Sequence, residues 1–389
     1  MKKILFFIFL ALFLIFLPKF FVFIYLLVKY SVAKIVNSYM EKIIDFLIFF
    51  YSAIILSYML ANREYYKGEE VGFGDDMYHY YNAFDWIKNV SFSEFLSNFN
   101  IVTSLTGSGE VGFWVIVKIM SYFINDNFYI HVFLTLLGLC LIYISGEIWK
   151  RCGLLFFFFY TNTITFFAYQ GSAIRAGLAI GFIFIGLAIF LKYKKNIYLF
   201  ISPLIHFSSI PLIFIIILGR FKEISLVNKI KYFIVFFLTL AILIYISIQT
   251  QDGGLGFKLS AKLASENETT ISAILQFFIE VFFVISIVYF FFKEKVDSNL
   301  LRICVYFFIF SILVLLVSES SFSRFYRYEY IIFIFIFSSI FMNIKGFLYR
   351  YMVIISSFLW FIFIGYTRYS GVFAEDFLGF VGYSILDIL

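Results

Sequence analysis

Arginine is the residue type to follow in this chain. There are nine, and several stand beside apolar runs where lysine does not. Arginine offers a planar fork of donors that matches phosphate oxygens, whereas lysine is a point charge. Arg324 and Arg327 lie three apart in SSFSRFYRYEYI, on one face of any helix formed there, with Tyr328 beside them. Arg175 sits in FAYQGSAIRAGLAI, at the head of an apolar run whose Gly171, Ala173, Gly177 and Gly181 allow close approach of a backbone or a ligand. Both places have a plainer reading. Arg324 and Arg327 suit snorkelling in an aromatic belt, and the small residues around Arg175 suit helix packing. Neither explains the choice of arginine.

Acid–base chemistry has four candidates: Asp75, His79, Glu110 and His206. In GFGDDMYHYYNAFDWIKN, a helix after Gly74 would make Asp75 and His79 i, i+4 neighbours, and likewise Asp76 and Tyr80. A carboxylate beside an imidazole orients it as a general base; a capped, solvated surface helix is the alternative. Glu110 follows TGSG and either caps the next helix or faces a site. His206 lies between Pro203 and Pro211 in an apolar run, where a polar group at a helix break is a functional candidate. His131, inside a regular apolar run with no polar companions in sequence, reads as structural.

The elements that must position these groups are membrane helices. Of the 389 residues, 63% are hydrophobic and 14% charged, with mean hydropathy +0.98. An ordinary soluble domain carries roughly 25% charged residues, so a soluble enzyme is excluded. Apolar runs near the length that crosses a bilayer fall at about 4–28, 43–61, 128–146, 154–170, 176–191, 233–249, 272–292, 303–318, 329–342 and 347–364. Residues 111–124, with Lys118 in mid-run, and 196–219, with its prolines, read as interfacial or re-entrant. The fold expected is an all-α, polytopic transmembrane bundle of about 10–12 spans, a single membrane domain without internal repeats. The first run lacks a small-residue cleavage site and is too long for a signal-peptide core, so it reads as a retained helix.

Charge orients the bundle. Residues 62–110 hold eight acidic and three basic residues, leaving the rest of the +6 chain strongly positive. Basic short loops stay cytoplasmic, so 62–110 is expected outside as an acidic loop, with 250–271 as a second outer loop. Arg63, Arg175, Arg324, Arg327 and Arg368 then fall on the outer side. An outer arginine cluster suggests an anionic ligand there. The positive total reflects anchoring, so no nucleic-acid partner is implied. Cys140, Cys152 and Cys304 have neither disulfide nor zinc spacing.

In order, GFGDDMYHYY, EVGF, IRAGLAIGF, a Lys-rich turn, IHFSS and SRFYRYEY resemble the bacterial O-antigen and exopolysaccharide repeat-unit polymerases, the Wzy and EpsG-like group. The resemblance covers about residues 60–330; Ala-Gly follows Arg175 where many relatives have Gln-Gly or Gln-Ala. It implies a GT-C-like glycosyltransferase of the bacterial inner membrane. Such enzymes move a growing glycan from undecaprenyl pyrophosphate onto a lipid-linked repeat unit, with no cofactor and no essential metal. The partners implied are that lipid-linked oligosaccharide, membrane lipid and a chain-length regulator. On this reading Arg175, Arg324 and Arg327 bind pyrophosphate, while Arg63, Asp76, Tyr80, Tyr81 and Tyr328 contact the rest of the substrate. Asp75, His79, Glu110 and His206 compete for the base, with His206 and Asp75 preferred. An O-antigen ligase, a membrane acyltransferase and a lipid-linked oligosaccharide flippase are the competing readings. The ligase signature is a large late outer loop, the acyltransferase signature an early cytoplasmic His-Asp, and the transporter signature repeated halves.

Overall fold

A computed structural model describes residues 18–31, 38–62, 76–107, 109–220, 271–317 and 325–368. Asp75, Arg63 and Arg324 lie outside the described residues, as do the expected span 233–249 and nearly all of the loop 250–271. Among the described residues every regular element is helical. In chain order the α-helices are α1 Pro18–Ser31, α2 Ser38–Asn62, α3 Asp76–Asn89, α4 Phe92–Ser97, α5 Phe99–Thr106, α6 Val111–Met120, α7 Asn127–Lys150, α8 Gly153–Thr161, α9 Ile164–Gly171 and α10 Ile174–Tyr193. There follow α11 Ser202–Ile205, α12 Ile210–Arg220, α13 Ile271–Phe291, α14 Ser298–Val317, α15 Glu329–Asn343 and α16 Phe347–Arg368.

Within α2, α7, α10 and α14 run stretches of 18 to 24 residues that are long and apolar enough to cross a membrane. Shorter apolar helices lie in or beside α1, α6, α12, α13, α15 and α16. With this predominantly apolar, helical fold the chain is a polytopic membrane bundle, as its composition requires.

Two cores hold it together. The larger is dominated by phenylalanine and joins α1, α2, α8, α15 and the inner faces of the long helices. In it Phe156 and Phe335 meet edge to face, and Phe184 stacks on Phe335. The smaller lies under α3–α6. There Met77, Tyr80, Phe84 and Ile87 on the inner stripe of α3 pack with Phe113, Trp114 and Val117 of α6 against Ile130 and Leu134 of α7 and Leu178 of α10. The 3–4 residue spacing of that stripe is what an amphipathic helix needs to lie on a bundle.

One expected element is corrected. The run 154–170, read as one span, is broken into α8 and α9 at Asn162 and Thr163. Hydroxyl and amide groups compete with the helix ladder for its own carbonyls. Asn162 Nδ2 donates to the Phe158 carbonyl at 2.7 Å, and Thr163 Oγ1 caps α9 by accepting from Phe166 N. The apolar count of that run hid a buried break.

The two ends of the bundle differ in charge. At one end Lys192 Nζ donates to the Ile148 carbonyl and Lys150 Nζ to Ser339 Oγ. Ser339 and Asn343 in turn close on the Lys295 carbonyl. Lys29 lies at this end too, since Arg350 and Phe341 flank its neighbour Tyr30. The opposite end carries the start of α7, the end of α9, the start of α10 and the α3–α6 cap.

Candidate functional site

The site begins with a helix start that has the wrong charge. Arg175 is in the first turn of α10, where the helix dipole disfavours a cation. Its side chain is only 9% exposed, so it requires a counter-charge close by. Glu110 supplies one. It precedes α6 in extended conformation, makes no cap bond with its side chain, and turns its carboxylate to Arg175. Arg175 Nη1 donates to Glu110 Oε2 at 2.6 Å, and Arg175 Nε donates to the Tyr80 hydroxyl at 2.8 Å.

Tyr80 is the buried residue of α3 that points at α10. Burial raises its phenol well above the ordinary tyrosine range, against the opposing pull of Arg175, so it stays protonated. Its proton is directed at Asp76 Oδ2, 3.2 Å away. The i, i+4 pair foreseen for Asp76 and Tyr80 is present. His79 is not brought in: its side chain is exposed and its ring lies against Tyr78.

The other oxygen of Glu110 reaches His206. Between Ile197 and Arg220 the chain forms a 3₁₀ turn, the four-residue α11, an extended His206 (φ −157°, ψ 117°), another 3₁₀ turn and α12. His206 Nδ1 is 2.9 Å from Glu110 Oε1, which also accepts from Phe207 N at 3.4 Å. Contact is possible because Gly112 lets α6 approach: a Cβ there would lie 2.5 Å from the Leu204 carbonyl oxygen.

Protonation follows from the partners. A carboxylate held by a guanidinium is ionised and can only accept hydrogen bonds. His206 Nδ1 must therefore carry the proton it offers Glu110. In the neutral ring Nε2 is left with a lone pair, and no partner for Nε2 is present among the described residues. Burial lowers the His206 pKa from its usual 6.5, opposed by Glu110. The His206 side chain is 24% exposed against 7% for Glu110, so it is the member of the line a ligand can reach.

Tyr328 closes the far side. Its hydroxyl is 2.5 Å from Ser208 Oγ, two residues beyond His206. Arg327, on the same short turn, lies over the Tyr169 ring at 5.8 Å. Tyr81 is half buried, its ring against Phe84 and His131. The structure thus gathers Asp76, Tyr80, Glu110, Arg175 and His206 into one hydrogen-bonded line, with Tyr328 and Arg327 beside it.

His131 does have polar company, contrary to its sequence neighbourhood. Its Nε2 lies 3.0 Å from the Gln170 carbonyl oxygen, and Thr135 Oγ1 donates to the same oxygen at 3.3 Å. Both secure the end of α9, five residues before Arg175. Sequence reasoning also missed two buried carboxylates, Glu280 in α13 and Glu329 at the start of α15. A single acid inside ILQFFIEVFFV was the available signal for Glu280. Among the described residues no cluster of three His, Cys, Asp or Glu side chains could hold a metal ion.

Fold and site together define a multi-pass helical membrane protein that builds a buried Arg–Glu–His line at one end of its bundle. Residues 65–378 match the model of the EpsG family, and the chain belongs to that family, an exopolysaccharide and O-antigen polymerase-like group of bacterial membrane proteins. Its place is the bacterial inner membrane. Two curated relatives bear the name "EPS I polysaccharide export inner membrane protein EpsF", from Ralstonia nicotianae and Ralstonia solanacearum. Each is 30% identical over 145 and 146 residues respectively, which is 37% of this chain and 35% of the relative. The match therefore spans about a third of the length of those relatives. No solved structure matches the chain.

Proposed function

We propose that the chain is a polysaccharide polymerase, a glycosyltransferase moving a growing glycan from a polyprenyl pyrophosphate, in bacteria undecaprenyl pyrophosphate, onto a lipid-linked repeat unit. The observation that carries this reading is the Arg175–Glu110–His206 line, which presents an imidazole Nε2 at the end of an ion pair. We place the lysine-rich end in the cytoplasm by the charge rule, which sets the line at the outer face.

In this reading Glu110 orients His206 and His206 Nε2 takes the proton of the acceptor hydroxyl. The acceptor oxygen bonds to the anomeric carbon of the donor as the bond from that carbon to pyrophosphate oxygen breaks. The electron pair leaves with the lipid pyrophosphate, and the anomeric configuration inverts. Arg327, joined by Arg324, stabilises the departing charge. Arg175 is already engaged through Nε and Nη1, so its main role is to hold Glu110 ionised and in place. This gives Arg175 a different role from direct pyrophosphate binding, and it prefers His206 among the bases.

The test is the surface-glycan pattern on a gel, from cells lacking this chain and complemented with wild type, His206→Gln or Arg175→Lys. Wild type restores a ladder of polymer lengths, while both variants leave a single repeat unit despite normal protein abundance. The relatives' printed name speaks of export, so transport is the second reading. Loss of all surface glycan in the variants, with lipid-linked units trapped inside, would establish transport and remove the polymerase reading.

A further inference from the structure

Beside the line, between α3 and the start of α7, lies an open cleft of about 530 Å³ lined by Tyr81, Lys88, Asn125, Asp126, Asn127 and Phe128. Its volume is within the range of small-ligand sites. The backbone connects it to the line directly, because Tyr81 follows Tyr80, whose hydroxyl holds Arg175. The frame is already ordered. Asn127 Nδ2 donates to Asp85 Oδ1 at 2.9 Å and to the Tyr81 carbonyl at 3.4 Å. Lys88 Nζ is 2.8 Å from Asp85 and donates to the Asn125 carbonyl at 3.0 Å. Asp126 caps α7 by accepting from Phe128 N. Asn127 Oδ1 is shielded from solvent yet has no hydrogen-bond partner among the described residues.

The lining selects a ligand class. Lys88 is the one cation lining the cleft, and Asp85 already neutralises it, so a phosphate gains little there. Asp126 among the lining residues disfavours nucleic acid, and the many polar groups disfavour a lipid tail. Two rings, two amides and a carboxylate match a sugar, which pairs an apolar C–H face with rows of hydroxyls that both donate and accept. The openness of the cleft admits a chain passing through rather than one enclosed molecule.

We propose that this cleft is a saccharide subsite, in which Tyr81 and Phe128 meet the C–H face of a sugar ring and the exposed side chains of Asn125 and Asp126 bond its hydroxyls. It rests on the reading above for which glycan is involved, and it serves to hold that glycan beside the Tyr80 end of the line. The cleft positions the glycan and takes no part in bond making.

The experiment is saturation-transfer NMR on the full-length protein in lipid nanodiscs, saturating its aromatic protons. The probe is the repeat-unit oligosaccharide released by mild acid from the exopolysaccharide of the cell that makes this chain. Wild type transfers to the sugar ring protons, and Tyr81→Leu and Asn125→Ala bind about tenfold more weakly, the worth of one ring contact or one hydrogen bond. Lys29→Arg, at the opposite end, binds as wild type does. Phe128→Leu keeps an apolar side chain, so its loss of transfer at an unchanged melting temperature separates binding from misfolding. Equal transfer in wild type and all three cleft variants, or none in wild type, would overturn the subsite. Polymerisation is measured on the same nanodiscs supplied with the polyprenyl-pyrophosphate-linked repeat unit: a wild-type protein that binds the glycan but never lengthens this donor would sink the polymerase reading and leave the subsite standing.

Discussion

Two buried ion clusters occupy the two ends of this bundle, and they are built for different ends. At the lysine-rich end, Lys29 of α1 meets Asp45 and, at 3.1 Å, Glu41 of α2, while Tyr25 donates to Asp45 at 2.8 Å. All four come from two consecutive helices, fewer than 21 residues apart. Each charge is answered by a neighbour of opposite sign. At the other end, Arg175, Glu110, His206 and Tyr80 come from four elements, and the bonds between them join residues 65 to 96 positions apart. That cluster uses arginine, includes an imidazole, and ends on an Nε2 with no partner among the described residues. A local cluster fastens two helices, whereas a cluster gathered from four elements is organised around something else. The lesson is that burial of charge in a membrane bundle is not itself a functional signal, and that the residue left incompletely used is.

The sharpest break of this comparison exchanges cation types. Arg175→Lys keeps the charge but loses the fork that holds Tyr80 and Glu110 together. Polymer formation in a reconstituted assay is expected to fall by a factor of about 10²–10³, whereas Lys29→Arg leaves it within twofold. Equal losses would mean that both clusters are structural. His206→Gln removes the proton acceptor and keeps the bond to Glu110; single-turnover rates should drop by about 10²–10⁴ without a change in melting temperature. A smaller effect is expected of Gly112→Val, which drives α6 from Leu204 and shifts Glu110 away from His206. A displacement near 1 Å costs about 10² in rate, and shortening the Leu204 side chain should not restore it, because the clash is with the Leu204 backbone carbonyl.

The pH profile sharpens the contrast further. Burial holds the folded His206 pKa below 6.5, so Nε2 remains a base at neutral pH and the rate falls only as pH drops through that lower value. Stability follows the same sign. The unfolded chain takes up the proton first, near pH 6.5, so the folded state loses stability as pH falls below that point and regains it above. His206→Gln should flatten both profiles; an unaltered acid limb would assign the titration elsewhere. Least affected is activity in Lys29→Met, which leaves Asp45 without its counter-charge and, among the described residues, held only by Tyr25. It should destabilise by about 3–5 kcal/mol, as for other buried pairs robbed of one partner, with activity per folded molecule unchanged.

Much of the site was legible before any fold was known. Arg175 stood out as an arginine beside an apolar run on the outer side, where lysine does not stand, and His206 because it lies between prolines. The pairing of Asp76 with Tyr80 needed only the helix period. The break in α8–α9 was obscured because Asn162 and Thr163 are small interruptions in an overwhelmingly apolar run, and hydropathy sums do not see where a ladder is interrupted. Lys118 pointed to a helix lying at the interface, but its buried Nζ is spent on the carbonyls of Ile87 and Val90, at the end of α3. Glu110 could not be assigned between cap and site, since both uses need an acid at that position.

By itself the sequence determined the class: a membrane bundle, because apolar runs of bilayer length leave no other solvent for these side chains. It also determined the charge polarity and the local helix faces, which depend on spacing alone. Only the tertiary structure decided that Glu110 is the partner of both Arg175 and His206, and that His79 is not. That choice depends on contacts between residues as far as 96 positions apart. It is made by packing, at the close approach of Gly112 to Leu204, and no local pattern encodes such an approach.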